Sequence, residues 1–355
     1  MNIKSWLTNN TKPFLIAGPC SAETRDQVIQ TAIRLKNIDK VNLLRAGIWK
    51  PRTKPDSFEG VGAKGLPWLQ EAKELTGIPL TVEVAKAKHV ELCLEHEIDT
   101  LWIGARTTVN PFAVQEIADA LQGTDIPIFV KNPINADLAL WQGAIERIKR
   151  AGINKIAAIH RGFSSVGEKF YRNRPQWQIA LAFKSESPVI PLICDPSHIC
   201  GRRDILLDVS QKAMDLNYDG LMIESHIDPD QAWSDAKQQI TPEALRDLIE
   251  QLVLREVREN DQTTQTQLDY LRQEINHIDD EILNLLANRM KVAQEIGEYK
   301  KQHNITILQL KRWREIILKS RKFANENGLS DEFIFNYLRS LHDESINQQA
   351  KVMKQ

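Results

Sequence analysis

This sequence is poor in cysteine and has almost no excess of charge of either sign. Its four cysteines in 355 residues are too few for a disulfide framework, which suits a reducing compartment. The formal net charge of −1 provides no overall basic field, so we expect no nucleic-acid partner. No apolar run approaches the roughly 20 residues of a membrane-spanning helix, and the opening stretch MNIKSWLTNNTK lacks the apolar core of a signal peptide. We therefore expect a cytoplasmic protein that binds no membrane.

From Pro13 to about Arg258, short apolar or β-branched runs alternate with longer amphipathic stretches. These runs predict eight strands, at 13–18, 41–47, 79–84, 99–104, 127–131, 155–160, 189–195 and 219–224. Eight β/α units in about 245 residues match the usual size of a (β/α)₈ TIM barrel. A doubly wound open sheet is the alternative, but near-uniform units without a GxGxxG turn favour the closed barrel. We predict an α/β barrel domain over 1–258.

A different pattern follows the barrel. The stretch 259–267 contains no apolar residue and is predicted to be a linker or a solvated helix extension. From Leu268, apolar residues recur every three or four positions, which predicts one helix of roughly 33 residues. Two further helices are predicted around 308–325 and 331–351. A long helix with two shorter ones cannot bury its own apolar stripe, so 268–355 is predicted to be an all-helical domain that forms a homodimer.

Four potential metal ligands fall at the carboxyl ends of neighbouring strands. Cys20 follows the first strand, His198 follows the seventh, Glu224 ends the eighth, and Asp235 lies in the loop beyond it. Strands one, seven and eight become neighbours when the barrel closes, so these side chains should converge. A thiolate, an imidazole and two carboxylates suit a divalent transition metal.

Cations also collect at the carboxyl ends of the strands. The set comprises Arg45, Lys50, Arg52, Arg106, Lys131 and Arg161, with Thr53 beside Arg52. Arginine suits two-pronged binding of phosphate or carboxylate, and buried cations at one mouth require anions. The residues alone therefore predict metal-assisted chemistry on phosphorylated, carboxylated small molecules.

At these positions the sequence resembles a known family. The segments GPCS, LLRAGIWKPRT, IGAR, DPSH, IES and SDAKQ occur in this order between about 13 and 258. Together they are similar to 3-deoxy-D-arabino-heptulosonate 7-phosphate synthases of the short bacterial form. The resemblance implies condensation of phosphoenolpyruvate with erythrose 4-phosphate, the first step of the shikimate pathway. The alternative is a 3-deoxy-octulosonate 8-phosphate synthase with arabinose 5-phosphate as acceptor, but that relative has a different motif where this chain reads KPRT.

The resemblance also implies roles for individual residues. The metal, for which we favour Mn²⁺ among the divalent ions, would be held by Cys20, His198, Glu224 and Asp235. Phosphoenolpyruvate would be bound by Arg45, Lys50, Arg106, Lys131 and Arg161. The phosphate of erythrose 4-phosphate would be bound by Arg52 and Thr53.

The helical domain carries cations on two faces. Arg289 and Lys300 lie about 20° apart on a helix and can share a pocket, whereas Arg272 points about 100° away and can reach a partner chain. The segment LDYLRQEINHIDDEILNLLANRMKVAQEIGEYK resembles the first helix of all-helical chorismate mutases, and the likeness continues to the C-terminus. It implies rearrangement of chorismate to prephenate. The implied ligand-binding residues are Arg272 from the partner chain, Arg289, Lys300, Arg312, Ser345 and Gln349.

Two positions depart from the mutase pattern. Gln309 stands where an acidic residue is usual, and Trp313 stands where a glutamate usually binds the substrate hydroxyl. A non-catalytic ligand-sensing and dimerisation module is therefore the alternative, although Arg289, Lys300 and Gln349 favour an active mutase. We also hypothesise that prephenate or chorismate bound around Arg289 and Lys300 lowers synthase activity.

Overall fold

The computed structural model describes Leu7 and residues 13–38, 40–51, 58–255 and 262–354. The chain divides into two compact units, Met1–Val257 and Arg258–Gln355. Within the described ranges, none of the helices is long and apolar enough to cross a membrane.

The first unit contains a closed barrel of eight parallel strands paired in chain order. The strands are β1 Phe14–Gly18, β2 Val41–Arg45, β3 Leu80–Val84, β4 Thr100–Ile103, β5 Ile128–Lys131, β6 Ile156–His160, β7 Leu192–Cys194 and β8 Gly220–Glu224. Pairing of β8 with β1 closes the barrel and places Glu224 opposite Gly18. The predicted (β/α)₈ fold is confirmed, and the open sheet is excluded. Strand β7 is shorter than the predicted run 189–195, because Pro191 cannot donate a backbone hydrogen bond to a neighbouring strand.

Helices surround the barrel and connect its strands. They are α1 Arg25–Lys36, α2 Leu66–Thr76, α3 Ala87–Glu95, α4 Ala105–Thr108, α5 Pro111–Ala120, α6 Leu138–Arg150, α7 Trp177–Glu186, α8 Pro196–Cys200, α9 Leu206–Asp215 and α10 Pro242–Gln251. Side-chain caps begin several of them. The hydroxyl of Thr24 accepts from the backbone of Gln27 at α1, and the carboxylate of Asp137 accepts from Leu140 at α6. Such caps satisfy backbone N–H groups that have no partner inside the helix.

Strand alternation divides the core of the barrel into two layers. Side chains two apart on a strand face the same side, so Ile16, Leu43, Phe129 and Met222 fill the inside of the barrel. Their neighbours Leu15, Leu44, Ile128 and Leu221, among others, pack outward against the helices. The inward column also decides which residues face the mouth, because the residue two positions beyond the last inner apolar side chain points to the same interior.

The second unit consists of three helices, as predicted. They are α11 Gln262–Gln302, α12 Leu310–Glu326 and α13 Asp331–Lys354. Helix α11 has 41 residues rather than roughly 33, because it begins inside the polar stretch. Residues 262–267 of the predicted linker are helical, whereas 259–261 lie outside the described residues. The domain boundaries 1–258 and 268–355 stay predictions.

Helix α11 leaves a long apolar face exposed in the single chain. Its exposed residues include Leu268, Leu271, Ile275, Ile278, Ile282, Leu283, Leu285, Val292 and Ile296. The buried cluster of this unit is small, with Ala324, Ile334 and Leu338 at its centre. Three helices thus bury only part of their apolar surface within one chain.

Candidate active sites

The carboxyl ends of the strands bring charged side chains to one mouth of the barrel. Arg45, Lys131 and Glu224 each follow an inward-facing apolar residue by two positions and therefore face the interior. All three are buried, and they extend the inner column of the barrel to its mouth. In barrels of this architecture that mouth is where chemistry takes place.

Three of the four predicted metal ligands form a tight cluster. The ligand atoms of Cys20, Glu224 and Asp235 all lie within 4.8 Å of one another. The Cys20 Sγ atom is 3.3 Å from Asp235 Oδ2 and 3.1 Å from the ammonium Nζ of Lys50. One sulfur and two carboxylates drawn this close, with few compensating donors, form a site that fits a divalent cation.

The fourth predicted ligand, His198, lies beside this cluster. Its Nε2 atom is 3.7 Å from Glu224 Oε1, while its Nδ1 atom is 2.8 Å from Asp195 Oδ2. The local sequence explains this position. Asp195 caps the short helix α8 by accepting from the backbone of His198, and Pro196 occupies the first turn. The carboxylate therefore fixes the imidazole so that Nε2 faces the cluster, an arrangement common to metal-binding histidines.

Burial and neighbouring charges determine the protonation states of the cluster. Burial raises the pKa of the Cys20 thiol to about 12, and the carboxylate of Glu224 adds to that rise. Burial alone would raise the pKa of Glu224, but His198 and Arg45 hold it below its ordinary value. Burial lowers the pKa of His198, which favours the neutral imidazole that ligates metals. A bound cation would supply the charge that turns the thiol into a thiolate.

The loop after β8 is tied to the strand ends by two glutamines. Gln239 Oε1 accepts from the Cys20 backbone at 2.9 Å, and Gln238 Nε2 donates to Glu224 Oε2 at 2.6 Å. Asp235 occupies the left-handed region at φ 52°, and the guanidinium of Arg172 lies 3.1 Å from its carboxylate. These contacts hold the fourth loop residue over the cluster.

Two of the predicted anion-binding cations share an aromatic neighbour. Arg45 donates to Glu224 at 3.1 Å, and its guanidinium carbon lies 5.2 Å from the ring centre of Trp102. The Lys131 ammonium is 5.8 Å from the same ring and 2.7 Å from Asp195 Oδ2. Within the described part of the chain, Arg45 Nε and Nη1 have no hydrogen-bond partner. Buried donors without partners are costly, so these atoms are available to an incoming anion.

The remaining predicted cations line a small cavity above these residues. It is lined by Lys50, Pro51, Glu83, Gly104, Ala105, Arg106, Lys131, Arg161, Arg172, His198 and Asp235. Burial lowers the pKa of Arg161 to about 10, although Asp195 opposes that shift. Arg52 and Thr53, predicted for the sugar phosphate, lie outside the described residues.

Several residues at this mouth were missed by reasoning from the sequence. Asp195 could have been found, because it opens the DPSH segment that supplied His198. Trp102, Arg172 and Gln238 carry no such signal, since only the folded loops bring them to the site. The other three cysteines, Cys93, Cys194 and Cys200, are all buried.

The helical unit contains a second cavity, of about 300 Å³. It is lined by Arg289, Val292, Ala293, Ile296, Lys300, Ile307, Gln309, Arg312, Trp313, Ile316, His342, Ser345 and Gln349. Five of the six predicted ligand-binding residues therefore come together. Arg272 is not among the lining residues of this chain, and it forms an exposed ion pair with Asp269 at 3.0 Å.

Helix packing orients the polar side chains of this cavity. Arg289 donates to the Ser345 hydroxyl, and Lys300 Nζ donates to Gln349 Oε1 at 3.0 Å. Gly297 permits the close approach of α11 and α13, since a Cβ there would lie 3.0 Å from the Gln349 Cα. The result is a cationic pocket suited to an anion with an apolar body.

Comparison with known families settles the class of both units. A family model described as the DAHP synthetase I family matches residues 4–259. The chain belongs to that family. A second model, chorismate mutase type II, matches residues 271–350. The protein is thus a bifunctional enzyme that unites a 3-deoxy-heptulosonate phosphate synthase (a transferase) with a chorismate mutase (an isomerase).

Individual relatives agree with this assignment. The phospho-2-dehydro-3-deoxyheptonate aldolase of Thermotoga maritima is 33% identical over 238 residues, covering 67% of this chain and 68% of the relative. A crystal structure of the enzyme of that name from the same organism superposes with a TM-score of 0.61 at 32% identity, covering 67% of each chain. The 2-dehydro-3-deoxyphosphooctonate aldolase of Francisella tularensis is 28% identical over 273 residues, covering 66% of this chain and 88% of the relative.

The cluster at the barrel mouth agrees with membership of the DAHP synthetase I family, which is metal-dependent. Its sulfur, nitrogen and carboxylate donors suit transition metals better than Ca²⁺ or Mg²⁺, which prefer all-oxygen ligands.

Proposed function

We propose that the barrel mouth condenses phosphoenolpyruvate with erythrose 4-phosphate on a divalent metal, for which Mn²⁺ is our choice. The observation that carries the assignment of residues is the cluster of Cys20, Glu224 and Asp235, with His198 beside it. When bound, the metal would act as a Lewis acid toward the aldehyde of the sugar. The chain's other residues bind and orient the two substrates.

The buried cations match the charges of phosphoenolpyruvate. The partnerless donors of Arg45, together with Lys131 and Arg161, are placed to bind its carboxylate and phosphate, and Lys50 and Arg106 line the same cavity. Fixing both substrates in attack geometry can lower the barrier by several kcal/mol. Arg52 and Thr53 are proposed to bind the sugar phosphate on the strength of the KPRT segment alone.

The reaction then needs one new bond, one water and one proton. Carbon C3 of phosphoenolpyruvate attacks the aldehyde carbon, whose oxygen takes up a proton. Water adds to C2, and inorganic phosphate leaves. Lys50 and Lys131 are the candidate proton donors. Burial lowers the pKa of Lys131 despite the opposing carboxylate of Asp195, and this makes its ammonium a stronger acid.

Chelation tests the metal assignment. Exhaustive removal of divalent ions should abolish synthase activity, and Mn²⁺ should restore it, while chorismate turnover continues throughout. Cys20→Ala should lose both synthase activity and thiolate-to-metal absorption with a Co²⁺ or Cu²⁺ probe. The matched control is Cys93→Ala, which changes a buried cysteine on α3. Full synthase activity in the chelated enzyme would refute the assignment.

For the helical unit we propose a homodimeric chorismate mutase with composite pockets. The proposal is supported by the exposed apolar face of α11 and by the cationic cavity. Arg289 and Arg312 would bind the two carboxylates of chorismate, and Lys300 and Gln349 would stabilise negative charge that grows on the ether oxygen. Arg272 would enter from the partner chain. We further propose that prephenate or chorismate in this pocket lowers the synthase rate.

A further inference from the structure

The cavity of the helical unit has an aromatic wall that the proposed mutase chemistry does not use. Trp313 on α12 and His342 on α13 lie face to face, with ring centres 4.2 Å apart and an interplanar angle of 32°. Both side chains line the cavity. Offset contact between two such rings is favourable beyond the burial of their area.

The wall is held in place from behind. Trp313 packs with Ile316 against the buried cluster of Ala324, Ile334 and Leu338, which joins α12 to α13. Burial lowers the pKa of His342. The nearby cations Arg289 and Lys300 lower it further, against the opposing effect of Asp343. The imidazole is therefore neutral at neutral pH and presents an uncharged ring.

The polar atoms of the cavity are mostly donors. In the part of the chain that the structure describes, none of the side chains lining the cavity is a carboxylate. The oxygens of Ser345 and Gln349 already accept from Arg289 and Lys300. Gln309 is the remaining amide on the lining, and it lies at the start of α12. A ligand's carboxylates thus meet several cations, whereas a ligand's hydroxyl proton meets few acceptors.

We propose that Trp313 and His342 form the ring-binding wall of this pocket, so that the helical unit selects a cyclic dicarboxylate by its carboxylates and one ring face rather than by its ring hydroxyl. This inference rests on the proposed chorismate- and prephenate-binding role of the pocket. It adds two specificity-determining residues, one of which, His342, has no counterpart among the residues predicted from the sequence.

Calorimetric titration of the full chain tests the proposal with two probes. One probe is prephenate, and the other is its analogue in which hydrogen replaces the ring hydroxyl. The wild-type protein should bind the two with dissociation constants that differ by no more than about threefold, because no strong hydroxyl hydrogen bond is lost. Trp313→Leu should weaken both by about tenfold, and Trp313→Phe should retain most of the affinity by keeping an aromatic face.

A second aromatic pair in the same unit provides the matched control. Tyr299 and His303 stack on α11 with ring centres 4.0 Å apart, and neither lines the cavity. Tyr299→Leu should leave both affinities unchanged, which separates a local wall from a general effect of removing an aromatic side chain.

The results distinguish this inference from the function on which it rests. A preference of more than about tenfold for the hydroxylated probe in the wild type would overturn the inference, since a strong hydroxyl acceptor must then exist. Binding that needs Arg289 but is unchanged in Trp313→Leu would also overturn it, while leaving the dicarboxylate pocket intact. Failure of the wild type to bind either probe would refute the wall and the proposed role of the pocket together.

Discussion

At the scale of single residues, Asp195 connects the two halves of the barrel site. Its carboxylate contacts both Lys131 and His198, so one buried charge holds a proposed anion-binding cation and a proposed metal ligand. Although burial alone would raise the pKa of Asp195, His198 and Lys131 hold it well below its usual range. Asp195 is therefore a positioning residue whose charge both neighbours need.

Asp195→Asn should accordingly weaken metal binding. Because loss of a carboxylate behind a metal-binding histidine typically costs about 10- to 100-fold in metal affinity, we expect a decrease of that size. The measurement is a Mn²⁺ titration followed by calorimetry as well as by synthase rate. Asp219→Asn is the control, since Asp219 accepts from the Leu192 backbone rather than contacting the cluster. Equal metal affinity in Asp195→Asn and wild type would contradict this role.

A second residue, His160, predicts how the stability of the barrel depends on pH. Its Nδ1 accepts from the Tyr218 hydroxyl at 2.9 Å and its Nε2 donates to the Pro175 carbonyl at 2.7 Å, so the ring is held neutral. Burial lowers its pKa to about 4. Between pH 6.5 and 4 the unfolded chain binds a proton that the native ring does not, so the free energy of unfolding falls as pH decreases.

The loss should reach about 3 kcal/mol at pH 4 and should be absent above pH 6.5. Denaturant unfolding followed by tryptophan fluorescence at several pH values measures it. His160→Gln, which keeps a donor and an acceptor without a titrating ring, should show a shallower decline. An identical pH dependence in the variant and the wild type would show that His160 does not carry this effect.

Residues also mark how far the sequence alone can lead. Alternation along strands predicted that Arg45, Lys131 and Glu224 share one interior, and the structure brings them there. Trp102 was an apolar residue in a strand pattern, with nothing to indicate that two cations would lie over its ring. Contacts of that kind depend on which strands become neighbours and how loops return, and no local pattern encodes either.

At the scale of elements, helix α11 determines the behaviour of the second unit. The change from period two to a spacing of three and four residues predicted the helix, and its length was underestimated because polar residues can extend a solvated helix. The pairing of Trp313 with His342 was not predicted, since it depends on the register of α12 against α13.

The composite pocket proposed for α11 predicts complementation between two inactive variants. Arg289→Ala and Arg272→Ala should each abolish mutase activity when present alone. Mixed chains should recover up to about a quarter of wild-type activity, because half of the dimers are mixed and each has one intact pocket of two. Chorismate turnover after subunit exchange is the measurement. No recovery despite confirmed exchange would mean that Arg272 does not cross the interface.

At the scale of the whole molecule, one chain joins an early step of a pathway to a later one. If prephenate bound around Arg289 and Lys300 lowers the synthase rate, the full chain should be inhibited while Arg289→Ala and a chain ended near Arg258 should not. A coupling free energy of about 1–3 kcal/mol would change activity severalfold. Equal inhibition of all three proteins would place the effector at the barrel instead.

The central claim is that two independent sites, one on each unit, perform the two reactions. The most direct test assays both reactions in three preparations: the wild-type chain, Cys20→Ala and Arg289→Ala. We predict that Cys20→Ala loses the condensation of phosphoenolpyruvate with erythrose 4-phosphate and retains chorismate turnover, and that Arg289→Ala does the reverse. Loss of both reactions in either folded variant, or retention of both in Cys20→Ala, would contradict the account.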